Sequence, residues 1–215
     1  MSVETLSPFY STNRNPFNYA KVEQIGRDVV TQWLTLDEIT NQLNLFDDES
    51  QDPYVLTLDL AARMTIEDYL GMAIFATQYR VYYPGTIYAQ AFLDLPEVSP
   101  GSSGVTIDLV QAYTTSNTVP VTISSSQYSY DPTGNRVILN DLPNELNPNI
   151  VNPIVVTYTQ NANVISTYPV VKQAGLMLLT HFYNSRSTVS DTVGMKAEVP
   201  FGVSQLLRPY KPLVM

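Results

Sequence analysis

Pro169-Val170-Val171-Lys172-Gln173-Ala174-Gly175-Leu176-Met177-Leu178-Leu179-Thr180-His181-Phe182-Tyr183-Asn184 is a long apolar stretch with a single formally charged residue, Lys172. At ~100° per residue, Val170, Val171, Ala174, Met177, Leu178 and Phe182 fall on one face, and Leu176, Leu179 and Tyr183 form a second stripe. Gln173, Thr180 and Asn184 leave only a narrow polar seam, so this helix, read as residues 169 to 185, must be covered on most sides. Pro169 suits the first helical position, where its missing N–H would have had no partner. Gly175 gives up helix propensity, which predicts that another backbone comes close there. A central helix with two apolar stripes calls for further helices around it.

The candidates lie near the start of the chain. Thr35 and Glu38 have the spacing of a capping box, in which each side chain satisfies a backbone N–H, and a short helix is predicted over 36–43. A second helix is predicted over 53–70, opened by Pro53 and closed by Gly71. Its Val55, Leu58, Ala62, Ile66 and Tyr69 form one stripe and Leu56, Leu60 and Met64 another, with Asp59, Arg63 and Glu67 between them. Two apolar faces need two partners: either both meet the core of one subunit, or the Val55 stripe packs against a neighbouring copy. Residues 1–34 read as an irregular arm, because Pro8, Asn13, Asn15, Pro16 and Asn18 interrupt any period, although Phe9, Tyr10, Phe17 and Tyr19 could anchor it.

From Ile74 the period changes to two: Tyr79, Val81 and Tyr83 alternate with Gln78, Arg80 and Tyr82. Further strands are expected within 87–95, 105–113, 119–123, 127–130, 136–139 and 154–158, with a turn at Asp131-Pro132-Thr133-Gly134-Asn135. The fold class is therefore α+β. A helical body of residues 35–73 and 161–215 receives an inserted antiparallel β section over about 74–160. Many of the fifteen tyrosines lie in that section, where packing within a half-buried sheet accounts for them more simply than a stacking surface for a ligand.

Twenty acidic residues stand against eleven Lys and Arg, for a net charge of −9. Broad binding to a nucleic-acid backbone requires clustered cations and is not expected. Residues 36–70 hold nine of the acids and only Arg63 as a cation, whereas residues 161–215 hold five basic residues against Asp191 and Glu198. This polarity fits either solvated faces or charges that steer assembly. With no cysteine, disulfides and thiolate chemistry are excluded. No apolar run approaches the ~20 residues of a membrane span, and no secretory leader is expected.

Catalytic chemistry finds few residues. His181 is the single histidine and is read as filling space on the apolar face of its helix, with Asp191 as the one carboxylate that could orient it. Asp37-Glu38 and Glu67-Asp68 are read as exposed helix surface. Asp47-Asp48-Glu49-Ser50-Gln51-Asp52-Pro53 lacks the alternating ligands and central glycine of a calcium loop, and its acids suit the positive end of the following helix. No catalytic, cofactor or metal site is assigned.

After the central helix, 185–194 reads as a polar loop, and the sequence closes with Val199-Pro200-Phe201-Gly202-Val203-Ser204-Gln205-Leu206-Leu207-Arg208-Pro209-Tyr210. The order of these elements, together with Leu34-Thr35-Leu36-Asp37-Glu38-Ile39 and Gly71-Met72-Ala73-Ile74-Phe75-Ala76-Thr77-Gln78, resembles the head-tail connector (head-completion adaptor) family of tailed bacteriophages over about residues 34–212. The resemblance implies a structural virion protein at the head-tail interface, made in the host cytoplasm. It would form a ring homo-oligomer, expected to be a dodecamer, beneath the portal protein, and join the DNA-filled capsid to a tail or head-completion protein. Genomic DNA would pass through without sequence-specific binding, and no membrane would be involved. The family's C-terminal segment reaching the portal would give Phe201, Leu206, Leu207 and Tyr210 an anchoring role; the alternative is that they fold back on their own subunit. Another tail or baseplate protein is a competing reading, and a glycan-binding or hydrolytic module using the β section is a second.

Overall fold

A computed structural model describes residues 18–45, 49–85, 92–96, 98, 104–115, 119–140, 145–185 and 200–211. The fold is α+β, with four helices and eight strands among the described residues. They divide into a helical unit, drawn from 27–76 and 162–211, and a β unit, drawn from 18–26, 77–98 and 104–161.

In the helical unit, α1 (Leu36–Leu43) starts on the expected capping box, with Thr35 Oγ1 accepting from the Glu38 N–H at 3.2 Å and Glu38 Oε2 accepting from the Thr35 N–H at 2.9 Å. Next, α2 (Asp52–Leu70) carries proline in its first turn and ends on Gly71 at φ 68°, the left-handed conformation that favours glycine. Then α3 (Pro169–Asn184) follows the predicted bounds to within a residue, and α4 (Phe201–Leu207) runs into a 3₁₀ turn at Arg208–Tyr210. Their shared core includes Leu34, Ile39, Ile66, Leu70, Leu178 and Leu207.

Two sequence expectations change here. The close approach at Gly175 comes from a side chain, not a backbone: a Cβ at that position would lie 2.6 and 2.9 Å from Cζ3 and Cη2 of Trp33. The indole is buried and donates its Nε1–H to the Ser166 carbonyl at 3.1 Å. The charged residues between the α2 stripes are also inside. Asp59, Arg63 and Glu67 are 0%, 0% and 4% exposed, so Glu67 is not the surface carboxylate its sequence neighbours suggested.

Spaced four residues apart, these three side chains form a ladder on one face of α2 and bind backbone on either side of it. Asp59 accepts from the Trp33 and Leu34 N–H groups at 2.8 and 3.2 Å. Arg63 donates to the Thr31 carbonyl at 2.7 Å and to the Asp28 carbonyl, and its guanidinium lies 4.8 Å from the centre of the Phe75 ring. Glu67 accepts from Arg27 Nε and Nη2 at 2.9 and 2.6 Å and from the Ile74 N–H at 2.9 Å. Burial raises the Asp59 carboxyl above its ordinary range, against the opposing pull of the two backbone donors.

The β unit holds a five-stranded sheet in the order β1-β2-β8-β4-β5 and a three-stranded sheet in the order β3-β7-β6. The strands are β1 (Lys21–Arg27), β2 (Thr77–Tyr83), β3 (Phe92–Asp94), β4 (Val105–Ala112), β5 (Val121–Thr122), β6 (Tyr128–Asp131), β7 (Arg136–Leu139) and β8 (Ile154–Gln160). β1 corrects the irregular arm: seven residues of it are an edge strand. Both sheets contribute to one core, with Tyr79, Val81, Tyr83 and Tyr158 from the larger and Leu93, Val137 and Leu139 from the smaller. Tyr79 and Tyr158 stack at 5.6 Å, and the buried Tyr83 hydroxyl donates to the Asp94 carbonyl at 2.7 Å. These three rings are interior packing and present no stacking surface.

Gly175→Ala forces a methyl into the Trp33 ring and is expected to lower stability by about 1–3 kcal/mol in urea unfolding. Asp59→Ala strands two buried N–H groups, at ~1–3 kcal/mol each, and is expected to cost about 3 kcal/mol. Asp68, whose side chain is 71% exposed, serves as the control, and its alanine variant is expected to fall within ~0.5 kcal/mol of the parent.

Candidate docking surface

The inward side of α3 lies between the two stripes read from sequence. Val171, Ala174, Gly175, Leu178 and Leu179 are buried. Val170 and Met177, seven residues apart and hence on one face, are 40% and 36% exposed. His181 continues that outward face and is exposed rather than packed; the Asp191 proposed to orient it lies outside the described residues, as do Asp47 and Asp48.

α4 runs antiparallel along α3. Its start meets Met177, whose Cε would lie 3.2 Å from a Cβ on Gly202, and the turn that follows it packs Tyr210 against Tyr168 edge to face at 5.7 Å. Val203 and Leu207 fill the space beneath and are fully buried. Tyr69 Oη donates to the Ser204 carbonyl at 3.4 Å, and Lys211 Nζ sits 5.0 Å from the centre of the Tyr69 ring. The C-terminal segment is thus built into its own subunit, the second of the two outcomes weighed from the sequence.

This placement sorts the four residues expected to anchor a partner. Leu207 belongs to the core, which corrects its assignment, because a side chain with no exposed surface has nothing left to bury. Leu206 and Tyr210 are half-buried against that core, and Phe201 is 78% exposed. The Val55 stripe is sorted in the same way. Val55, Ala62 and Ile66 are 0% exposed within the subunit, while Leu58 and Tyr69 are partly buried beside them. The first three therefore cannot face a neighbouring copy. What sequence reasoning missed is that Tyr168, Val170 and Met177 are exposed as well as Phe201; the mixed polar and apolar character of 168–177 hid which side of α3 turns outward.

Beside this face, Glu38, Thr167, Pro169, Lys172, Gln173 and Leu176 line a groove of about 440 Å³. Lys172 Nζ donates to Glu38 Oε1 at 2.9 Å, tying α1 to α3. That bond first, and the Thr35 N–H second, hold the Glu38 carboxyl below its ordinary range.

No protein-family model matches the chain, and no curated protein does. Solved structures share the fold. A chain in the neck of an empty gene transfer agent (GTA) particle, computed with C6 symmetry, has a TM-score of 0.56 and 18% identity, covering 91% of this chain and 97% of that one. A chain in the virion of a native gene transfer agent particle has a TM-score of 0.55 at 18% identity, and one in the neck of a native particle computed with C12 symmetry 0.53 at 14%, both over the same shares.

The depressed Glu38 carboxyl makes a stability contribution that is complete above its unfolded value near 4.5 and is lost as pH falls through the lower folded value. Glu38→Gln keeps an oxygen for the Thr35 N–H but loses the ion pair. It is expected to cost about 0.5 kcal/mol at pH 7 and to flatten the acid limb of a thermal-denaturation pH series.

Proposed function

We propose that this chain is a structural subunit of the neck of a phage-like virion. It acts there as a head-tail connector that forms a ring under the portal and joins the DNA-filled capsid to the tail. The observation that carries the proposal is fold similarity over nearly the whole of both chains to subunits in gene transfer agent necks. The order of helices and inserted strands read from the sequence supports the same conclusion.

The C6 and C12 symmetries with which those necks were computed favour a ring homo-oligomer, with twelve copies the expected number. Its partners are the portal protein on one side and a tail or head-completion protein on the other. A net charge of −9 suits a conduit that DNA must traverse without adhering, since acidic walls offer phosphate no counter-charge. Its role is mechanical and needs no cofactor: the subunit binds copies of itself and its neighbours.

Mixing the purified chain with portal rings of its own particle and imaging them by electron microscopy tests this directly. The expected result is coaxial density with ring symmetry stacked on one end of the portal. Bare portals at micromolar protein would overturn the connector assignment in favour of another tail or baseplate component.

A further inference from the structure

We infer that the outward face of α3 and α4 receives the next copy of this chain, and that Glu49 and Asp52 at the start of α2 of that copy meet its basic rim. This rests on the neck-ring reading. Tyr168, Val170, Met177 and Phe201 are exposed on this face, and the antiparallel pairing of the two helices sets the Phe201 end of α4 beside Met177.

Charge decides which surface covers it. Residues 162–185 and 200–211 contain no acid, and Arg208 and Lys211 stand exposed at the Tyr168 end of the face. An acidic partner surface complements these two cations. The chain supplies such a surface itself: Glu49 and Asp52 flank the start of α2, exposed and half-exposed, and neither forms an ion pair among the described residues. Basic and acidic patches at different places on one subunit make a head-to-tail interface, which closes into a ring when the rotation between copies allows. Phe201 is thereby assigned to the neighbouring subunit and not to the portal.

Phe201→Asp and Arg208→Glu change exposed side chains and leave the core intact, as circular dichroism would verify. Each is expected to reduce the fraction of subunits in rings on portal templates about tenfold, and combining Arg208→Glu with Glu49→Lys and Asp52→Lys is expected to restore it. Rings that close as well as the parent's would overturn the inference. Rings that close but no longer seat on portals would overturn it as well, and assign the face to the portal. Failure of the parent chain itself to form rings on portals would overturn the neck-ring reading and this inference with it.

Discussion

The Asp59, Arg63 and Glu67 ladder determines what else the helical unit can do. Three ionisable groups inside a protein are expensive unless each finds partners, because the interior solvates charge poorly. Here the partners are mostly backbone. Asp59 holds the N–H groups that precede α1, Arg63 holds two carbonyls of the segment before it, and Glu67 holds the Ile74 N–H that follows the Gly71 turn. One face of α2 therefore orders irregular chain on both of its flanks. These segments contain too little regular structure to satisfy their own polar groups, and a hydrophobic stripe in the same place would have left those groups unpaired.

Fixing the chain before α1 also fixes Trp33. Its indole reaches the backbone of α3 at Gly175, the one glycine of that helix, where no side chain stands in its way. The ladder and the glycine are thus two parts of one arrangement. Charged groups on α2 set where residue 33 stands, and the absence of a side chain on α3 lets the ring close over the core. Burial of the indole then contributes apolar area that a helix pair alone would not provide.

What could be read in advance follows from how local each signal is. The Thr35 and Glu38 capping box, Pro169 at the start of α3, Gly71 at the end of α2 and the two-residue period of β2 are set by neighbours a few positions away, and all stand where the sequence places them. The charged ladder was not legible, because Asp, Arg and Glu at four-residue spacing also describe a solvated helix face. Its partners are 25 to 35 residues distant at Asp59 and Arg63. β1 was missed because Val22 and Ile25 break the alternation and its burial follows no clean period, as suits an edge strand. The outward side of α3 was misjudged because hydropathy cannot say which of two apolar stripes the subunit itself covers; α4, which begins only at Phe201, covers only part of it.

The same locality explains how a fold recurs at 14 to 18% identity where no sequence family is detected. Core positions such as Ile39, Ile66 and Leu178 require apolar volume, and many side chains provide it, so packing tolerates wide substitution once the pattern of periods is kept. Surfaces behave differently. Exposed apolar side chains and the signs of the charges around them are less constrained by folding. Neither is required for the monomer to fold, and an exposed Phe201 adds little to its stability. Here the exposed side chains that the core leaves unexplained include Val170, Met177 and Phe201 on the outer side of α3 and α4.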